Sequence, residues 1–312
     1  MSWARTALLK ASQSQWLRER APRYPFVRRN VARFMPGESA DDALAAVRAL
    51  AAKNIGAVLT ALGENVTSRA EATHETDLYR SLLTQISEQN LAAEISVKLT
   101  HLGLDLDENF CFDNLLSLIA ITPSSRTTWI DMEQSPYVDR TLHIYRRARQ
   151  SGANVGVCLQ AYLRRTEADL RPLLPLGGAI RLVKGAYNEP TDVAFPRKSD
   201  VDANFFKLTQ LMLSTDARSP ASPAHLRAAI ATHDRKLIQK ILDWAQQEGI
   251  TKTELEFQML YGIQRAEQLR LANLGCKSVV LVAFGSFWFP WYMRRLAERP
   301  ANLLFLLRNL LT

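Results

Sequence analysis

Cysteine is scarce in this chain: Cys111, Cys158 and Cys276 are odd in number and far apart. That excludes a disulfide framework and a cysteine-based zinc site, and leads to the expectation of a reduced, intracellular protein. His74, His101, His143, His225 and His233 show no zinc-type spacing, so no metal is expected. No apolar run approaches the roughly 18 residues that cross a bilayer. A G-x-G-x-x-G turn is missing too, since Gly177-Gly178 precedes a strand, which argues against a dinucleotide-binding open sheet. Acid is nearly missing from one stretch. Residues 1–34 hold eight Lys/Arg against Glu19, which accounts for +7 of the formal +8. A nucleic-acid binder would spread basic groups over a working face, so no nucleic-acid partner is expected. The basic head imitates an organelle transit peptide. Its Trp3, Trp16, Tyr24 and Phe26 suit helices packed on a body, and a retained, folded segment is the expectation.

What is present is rhythm. Ser39 reads as the N-cap of an alanine-rich helix to Lys53, with Asp41 and Asp42 in its first turn. Short apolar or β-branched runs then recur near residues 56–62, 93–99, 127–132, 153–159, 178–184, 226–232, 254–260 and 278–284. Helical patterns fill residues 70–90, 109–120, 136–151, 165–173, 200–214, 234–249, 263–273 and 288–310. Strand and helix alternating in this way predict βα units around a parallel sheet. Eight units fit a closed (β/α)8 barrel (residues 55–312) with additional N-terminal helices (residues 1–54) packed on it. A doubly wound open sheet is the competing architecture.

Ligand sites of such barrels lie at the C-terminal strand ends. Those ends read Glu64, Lys98, Asp131, Gln160, Arg181 with Lys184, Thr232 with His233, and Glu256 with Gln258. Each is a polar group leaving an apolar strand. An unpaired buried polar group costs about 1–3 kcal/mol, so the set must satisfy itself or a polar ligand. After the eighth strand, Pro290 suits a helix start, and Arg294, Arg295 and Glu298 fall within reach of one another. Such a cluster is either a salt-bridged solvent face or a clamp for a carboxylate. Residues 303–311 read as a last helix packed on the barrel, with a small interfacial anchor as the other reading.

Gly-Glu-Asn (63–65), Ile-Ser-Val-Lys (95–98), Ile-Asp-Met-Glu (130–133), Gln-Ala-Tyr (160–162) and Arg-Leu-Val-Lys-Gly-Ala-Tyr (181–187) form a collinear series. Ala-Thr-His (231–233), Glu-Phe-Gln-Met-Leu-Tyr-Gly (256–262) and Met-Arg-Arg-Leu-Ala-Glu-Arg-Pro-Ala-Asn (293–302) continue it. Together they resemble the short, single-activity proline dehydrogenases from about residue 35 onward. The resemblance implies a distorted (β/α)8 barrel holding FAD, oxidation of L-proline to 1-pyrroline-5-carboxylate by hydride transfer, and a quinone-type electron acceptor. By motif position it implies that Lys98, Arg294 and Arg295 hold the substrate carboxylate and that Asp131 and Tyr187 line the pocket. It implies flavin contacts from Gln160, Arg181, Val183, Lys184, Gly185, Ala186, Thr232, His233, Gln258 and Glu298. A cytoplasmic location follows (mitochondrial for a eukaryotic source), and peripheral contact with the inner membrane face is compatible with quinone as acceptor.

The series departs from the family at two places. A pocket tyrosine of the eighth strand is Leu281 here, with Ala283 in place of a proline, and Asp234 stands where an asparagine usually follows Ala-Thr-His. Leu281 opens a second substrate reading, a substituted or related cyclic amino acid. Two further readings stay open: a barrel lyase or aldolase using Lys98 or Lys184 as a Schiff-base amine, and a non-catalytic flavin-barrel binding protein.

Overall fold

The computed structural model describes Arg20, residues 24–214 and residues 226–298; the side chains of Pro25, Phe26, Arg28 and residues 294–298 fall outside that set. Eight parallel strands form a closed barrel: β1 (Gly56–Ala61), β2 (Ala93–Val97), β3 (Thr128–Ile130), β4 (Val155–Gln160), β5 (Gly178–Val183), β6 (Leu226–Ala231), β7 (Glu256–Leu260) and β8 (Lys277–Phe284). Each strand pairs with its neighbour in sequence, and β8 closes on β1 from Gly56 opposite Val279 to Ala61 opposite Phe284. The helices are α1 (Pro25–Val31), α2 (Ala40–Ala51), α3 (Arg69–Glu88), α4 (Glu108–Ile121), α5 (Val138–Gln150), α6 (Thr166–Leu170), α7 (Lys198–Met212), α8 (Arg235–Gln247), α9 (Arg265–Asn273) and α10 (Trp288–Glu298). The barrel expectation therefore holds, and the open sheet is excluded by the β8–β1 pairing.

Two cores explain the closure. The larger lies between strands and helices and is built from outward-facing strand residues such as Leu59, Ile95, Val157, Ile180 and Phe257. The inner one is small: Val58, Trp129, Ala179, Ala229 and Val279, with Leu281 packed against it. Trp129 fills most of that space because its neighbours are small. A Cβ on Gly156 would sit 2.5 Å from the indole.

The helices around β8 depart from a regular barrel. Ser39 caps α2 in a reciprocal box with Asp42, as the sequence indicated. That helix packs against β8 and β1 from outside. The chain after β8 turns at Gly285 (φ +116°) and sends α10 to the C-terminal rim. There Trp288, Phe289, Trp291, Tyr292 and Met293 bury against Val27, Val31, Met35, Leu62 and Ala283. Trp288 Nε1 donates to Glu38 Oε1 (3.0 Å), which ties this helix to the segment between α1 and α2. The N-terminal segment thus closes one side of the mouth. No described helix is long and apolar enough to cross a membrane.

Backbone packing fixes that closure at one residue. Gly262 follows β7 with φ +77°, and a Cβ there would lie 1.6 Å from the Arg33 carbonyl oxygen. Backbone cannot yield as a flexible side chain does, so Gly262→Ala should destabilise the protein by about 2 kcal/mol or more. Thermal unfolding measures the loss, and limited proteolysis should show faster cleavage before Met35. An unchanged melting temperature and cleavage rate would contradict this account of the mouth.

Candidate active site

The residues of the C-terminal strand ends fall into three hydrogen-bonded groups. The first sits inside the barrel. Arg181 on β5 is 3% exposed. Its Nη1 donates to Asp131 Oδ1 (2.9 Å) and to Ser96 Oγ (2.9 Å), and its Nε donates to Gln258 Oε1 (2.7 Å). Ser96 Oγ in turn donates to Asp131 Oδ1 (2.7 Å). The guanidinium also lies over Trp129, 4.5 Å from the ring centroid. Its Nη2 is buried with no hydrogen-bond partner among the described residues. Gln160 ends β4 and donates from Nε2 to the Glu133 carbonyl (3.1 Å), which leaves a buried Oε1 without a partner among the described residues.

The second group ties three loops together beside Lys98, which follows β2 and is buried. Glu133 accepts from the Thr100 amide (3.1 Å) and hydroxyl (2.6 Å), and Thr100 Oγ1 accepts from the Asn65 amide (3.1 Å). Loops after β1, β2 and β3 are thereby locked in register. Burial pushes the Glu133 carboxyl up to about 7, against hydrogen bonds from Thr100 and the charge of Lys98, while Glu64 adds repulsion. Among the described residues no carboxylate lies within 4.0 Å of the Lys98 ammonium. A cation so placed favours an anionic partner.

The third group lies at the β5–β6 side. Lys184 donates to Asp202 (2.5 Å) and Asp234 (2.9 Å), and Lys198 bonds the same two carboxylates. Asp234 also caps α8, accepting from the Lys236 and Leu237 amides. Partial burial opposes its charge, yet the hydrogen bonds and charges of the two lysines hold its pKa well below the ordinary carboxylate value. An asparagine would keep the cap, but only the carboxylate supplies a second anionic oxygen for the lysines. Nearby, Thr232 Oγ1 accepts from the Asp234 amide (3.2 Å) and His233 Nε2 accepts from the Leu260 amide (2.9 Å). That bond fixes His233 in the neutral form with its proton on Nδ1.

The segment after β5 is set by close packing. Gly185 has φ +116°, and a Cβ there would meet the Tyr162 ring at 2.1 Å. Val183, Ala186 and Tyr187 are half-buried beside it. Glu189 pins this segment to the β3 loop by accepting from Ser135 N (2.8 Å) and Oγ (2.5 Å). On β8, Leu281 faces the inner core beside Trp129.

Most expected positions gather at one mouth, but Glu256 is a correction. It begins β7 and lies at the opposite end of the barrel, where it accepts a bidentate bond from Arg227 (2.8 and 2.9 Å). The strand starts two residues later than its apolar run. Arg294, Arg295 and Glu298 lie on α10, and their side chains fall outside the described residues. Residues 303–311 and most of the basic head fall outside as well. Sequence reasoning missed Ser96, Glu133, Asp202 and Glu189 as organisers. Ser96 could have been found, because Glu94, Ser96 and Lys98 share one face at a period of two. Asp202 has a local signal only for its i,i+4 pairing with Lys198, not for its bond to Lys184.

A closed barrel with buried, partly uncommitted polar groups at its C-terminal mouth defines a (β/α)8-barrel enzyme. The profile of the family described as Proline dehydrogenase matches residues 43–308, and this chain belongs to that family. Proline dehydrogenase 1 of Bacillus subtilis (strain 168) is 35% identical over 308 residues, covering 98% of this chain and 99% of its own length. The Proline dehydrogenase of Deinococcus radiodurans is 35% identical over 289 residues, 89% of each chain. Proline utilization A (PutA) from Bdellovibrio bacteriovorus, inactivated by N-propargylglycine, superposes with a TM-score of 0.78 at 23% identity. That match covers 87% of this chain and 33% of the PutA chain, so this chain spans about a third of it, and the likeness is one of fold. Membership makes the protein an oxidoreductase of a flavin-using family.

The residues present fit a flavin ring. Gln160 Oε1 is a buried acceptor and Arg181 Nη2 a buried donor, both uncommitted among the described residues. A heterocycle carrying N–H and C=O groups offers a partner of the right kind to each.

The raised Glu133 carboxyl makes a pH prediction. Its folded value of about 7 lies above the ordinary 4.5. Its contribution to stability is therefore full below about 4.5 and is lost as pH rises to about 7. Glu133→Gln should flatten that window, with a difference of up to about 3 kcal/mol between its ends. The glutamine amide can still bond Thr100, whose hydroxyl also accepts. Urea unfolding from pH 4 to 8 checks this, and parallel curves for both proteins would refute it.

Proposed function

We propose that this enzyme oxidises L-proline to 1-pyrroline-5-carboxylate with FAD as its bound oxidant, the electrons passing on to a quinone-type acceptor. The observation that carries the reading is the pairing of a buried Lys98 that has no carboxylate within 4.0 Å among the described residues with a buried Arg181 whose Nη2 has no hydrogen-bond partner among them. One suits a substrate carboxylate and the other a ring edge, a few strand positions apart around one mouth.

FAD, when bound, supplies the redox chemistry by taking a hydride from the ring carbon beside nitrogen. The protein's part is positioning. Lys98, with Arg294 and Arg295, holds the carboxylate in this reading. Asp131, Tyr187 and Leu281 bound the ring, and Gln160, Arg181, Val183, Lys184, Gly185, Ala186, Thr232, His233, Gln258 and Glu298 hold the cofactor. Arg181 would add a fixed positive charge beside a ring that gains negative charge on reduction. Such an oxidation would break the C–H bond beside nitrogen, form a C=N bond in the ring and release the amine proton to solvent.

A second substrate reading is favoured by Leu281. Its side chain lies against the small inner core, and it lacks the hydroxyl and ring width of a tyrosine. A substituted or larger cyclic amino acid gains room there. A Schiff-base role for Lys184 is disfavoured by its two carboxylate partners, which already occupy its ammonium.

Anaerobic addition of L-proline to the purified protein tests the reading. A yellow protein whose band near 450 nm bleaches supports it, and a colourless protein that takes up no FAD overturns it. Lys98→Met should raise KM for proline about 100-fold, as loss of a buried charge-assisted bond predicts. Leu281→Tyr should shift kcat/KM from 4-hydroxyproline towards proline, and an unchanged ratio would remove Leu281 from ring selection.

A further inference from the structure

Below the mouth, the barrel interior holds charged groups beside its small apolar core. Glu94 on β2 accepts from Trp129 Nε1 (2.8 Å), the Thr127 amide (2.9 Å) and Arg227 Nη1 (2.6 Å). Arg227 on β6 then grips Glu256 with two bonds, and Glu256 Oε1 also accepts from Gln258 Nε2 (2.7 Å). Gln258 Oε1 accepts from Arg181 Nε. An unbroken line of donors and acceptors thus runs from the closed floor of the barrel to Arg181.

Buried ion pairs of this kind are weak sources of stability, since apolar residues of equal volume often serve as well or better. Orientation is what they supply here. A glutamine amide presents oxygen on one side and two N–H groups on the other, and either orientation fits the same space. Glu256 can only accept, so it draws the Gln258 nitrogen towards itself. That turns the Gln258 oxygen to Arg181, whose Nε can only donate. With a neutral residue at Glu256 the amide is held from the Arg181 side alone, and the orientation that sets N–H against N–H at the guanidinium becomes less costly.

We propose that Glu256, held by Arg227, is a positioning residue that aims the Arg181 guanidinium through the amide of Gln258. The proposal rests on the reading of Arg181 as a flavin contact for its effect on the cofactor, whereas the aiming itself does not depend on any ligand.

The test compares wild type, E256Q, Q258M and E256Q/Q258M as purified holoenzymes, reading the midpoint potential of the bound flavin. Q258M breaks the line above the intact Arg227–Glu256 pair, so it keeps the floor of the barrel folded. The expected result is that E256Q lowers the potential in the presence of Gln258 and has no further effect in the Q258M background. Equal shifts in both backgrounds would show that Glu256 acts without Gln258 and would overturn the proposal. A second cycle, E256Q with R181K, is read by thermal unfolding and needs no cofactor. Glu256 and Arg181 do not touch, so additive losses overturn the aiming and a double variant scarcely weaker than the worse single variant supports it. A wild-type protein without flavin would sink the proposed function and leave this second cycle to decide the inference.

Discussion

A guanidinium carried inside a barrel is the constraint on which the rest depends. Arg181 is almost fully withdrawn from water, and a charge in that position survives only if other groups replace its hydration. Asp131 neutralises it, Ser96 and Gln258 take two of its donors, and Trp129 offers a ring face. These partners come from β2, β3 and β7, so the barrel must close in one register for the charge to be tolerated. The small inner residues Ala179, Ala229 and Gly156 follow from the same requirement, because Trp129 and two arginines occupy the space that larger aliphatic chains would fill.

The rim is organised differently. There the loops are tied by carboxylates that accept from backbone and hydroxyl groups: Glu133 on Thr100, Glu189 on Ser135, Asp234 on the first turn of α8. The Glu133 and Glu189 bonds join segments 33 and 54 positions apart, so these loops of the mouth are cross-linked rather than independent. Closure is completed by α10 and α1, whose aromatic and aliphatic side chains meet at the rim while α2 takes the outer place beside β8. The segment that a simple barrel would leave as an appendage becomes part of the wall around the site.

Positive charge at the mouth is graded by its partners. Lys184 and Lys198 share two aspartates and have little left to offer a ligand. Arg181 is bound on one edge and open at Nη2, and Lys98 is buried without a carboxylate at ion-pair distance among the described residues. Electrostatics therefore leave two places where ligand groups lower the energy of the protein, which agrees with a ring edge and a carboxylate as what the mouth receives.

Much of this was legible beforehand. Apolar runs alternating with helical periods gave the barrel nearly strand for strand, because burial on both faces forces continuous hydrophobic runs in a parallel sheet. Ser39 announced its helix by local capping chemistry, and polar residues at strand exits marked the mouth, since burying them without partners is costly. Glu256 was misplaced because a strand start and a strand end look alike when the residue is polar and the run is short. Whether Arg181 pairs with Asp131, whether Gln258 faces Arg181, and which carboxylates claim Lys184 were decided by the tertiary structure alone. Those pairings join residues up to 77 positions apart, as Arg181 and Gln258 are. Sequence periodicity reports which face a residue takes, but partners across a closed barrel are chosen by strand register and side-chain geometry that appear only once the chain has closed.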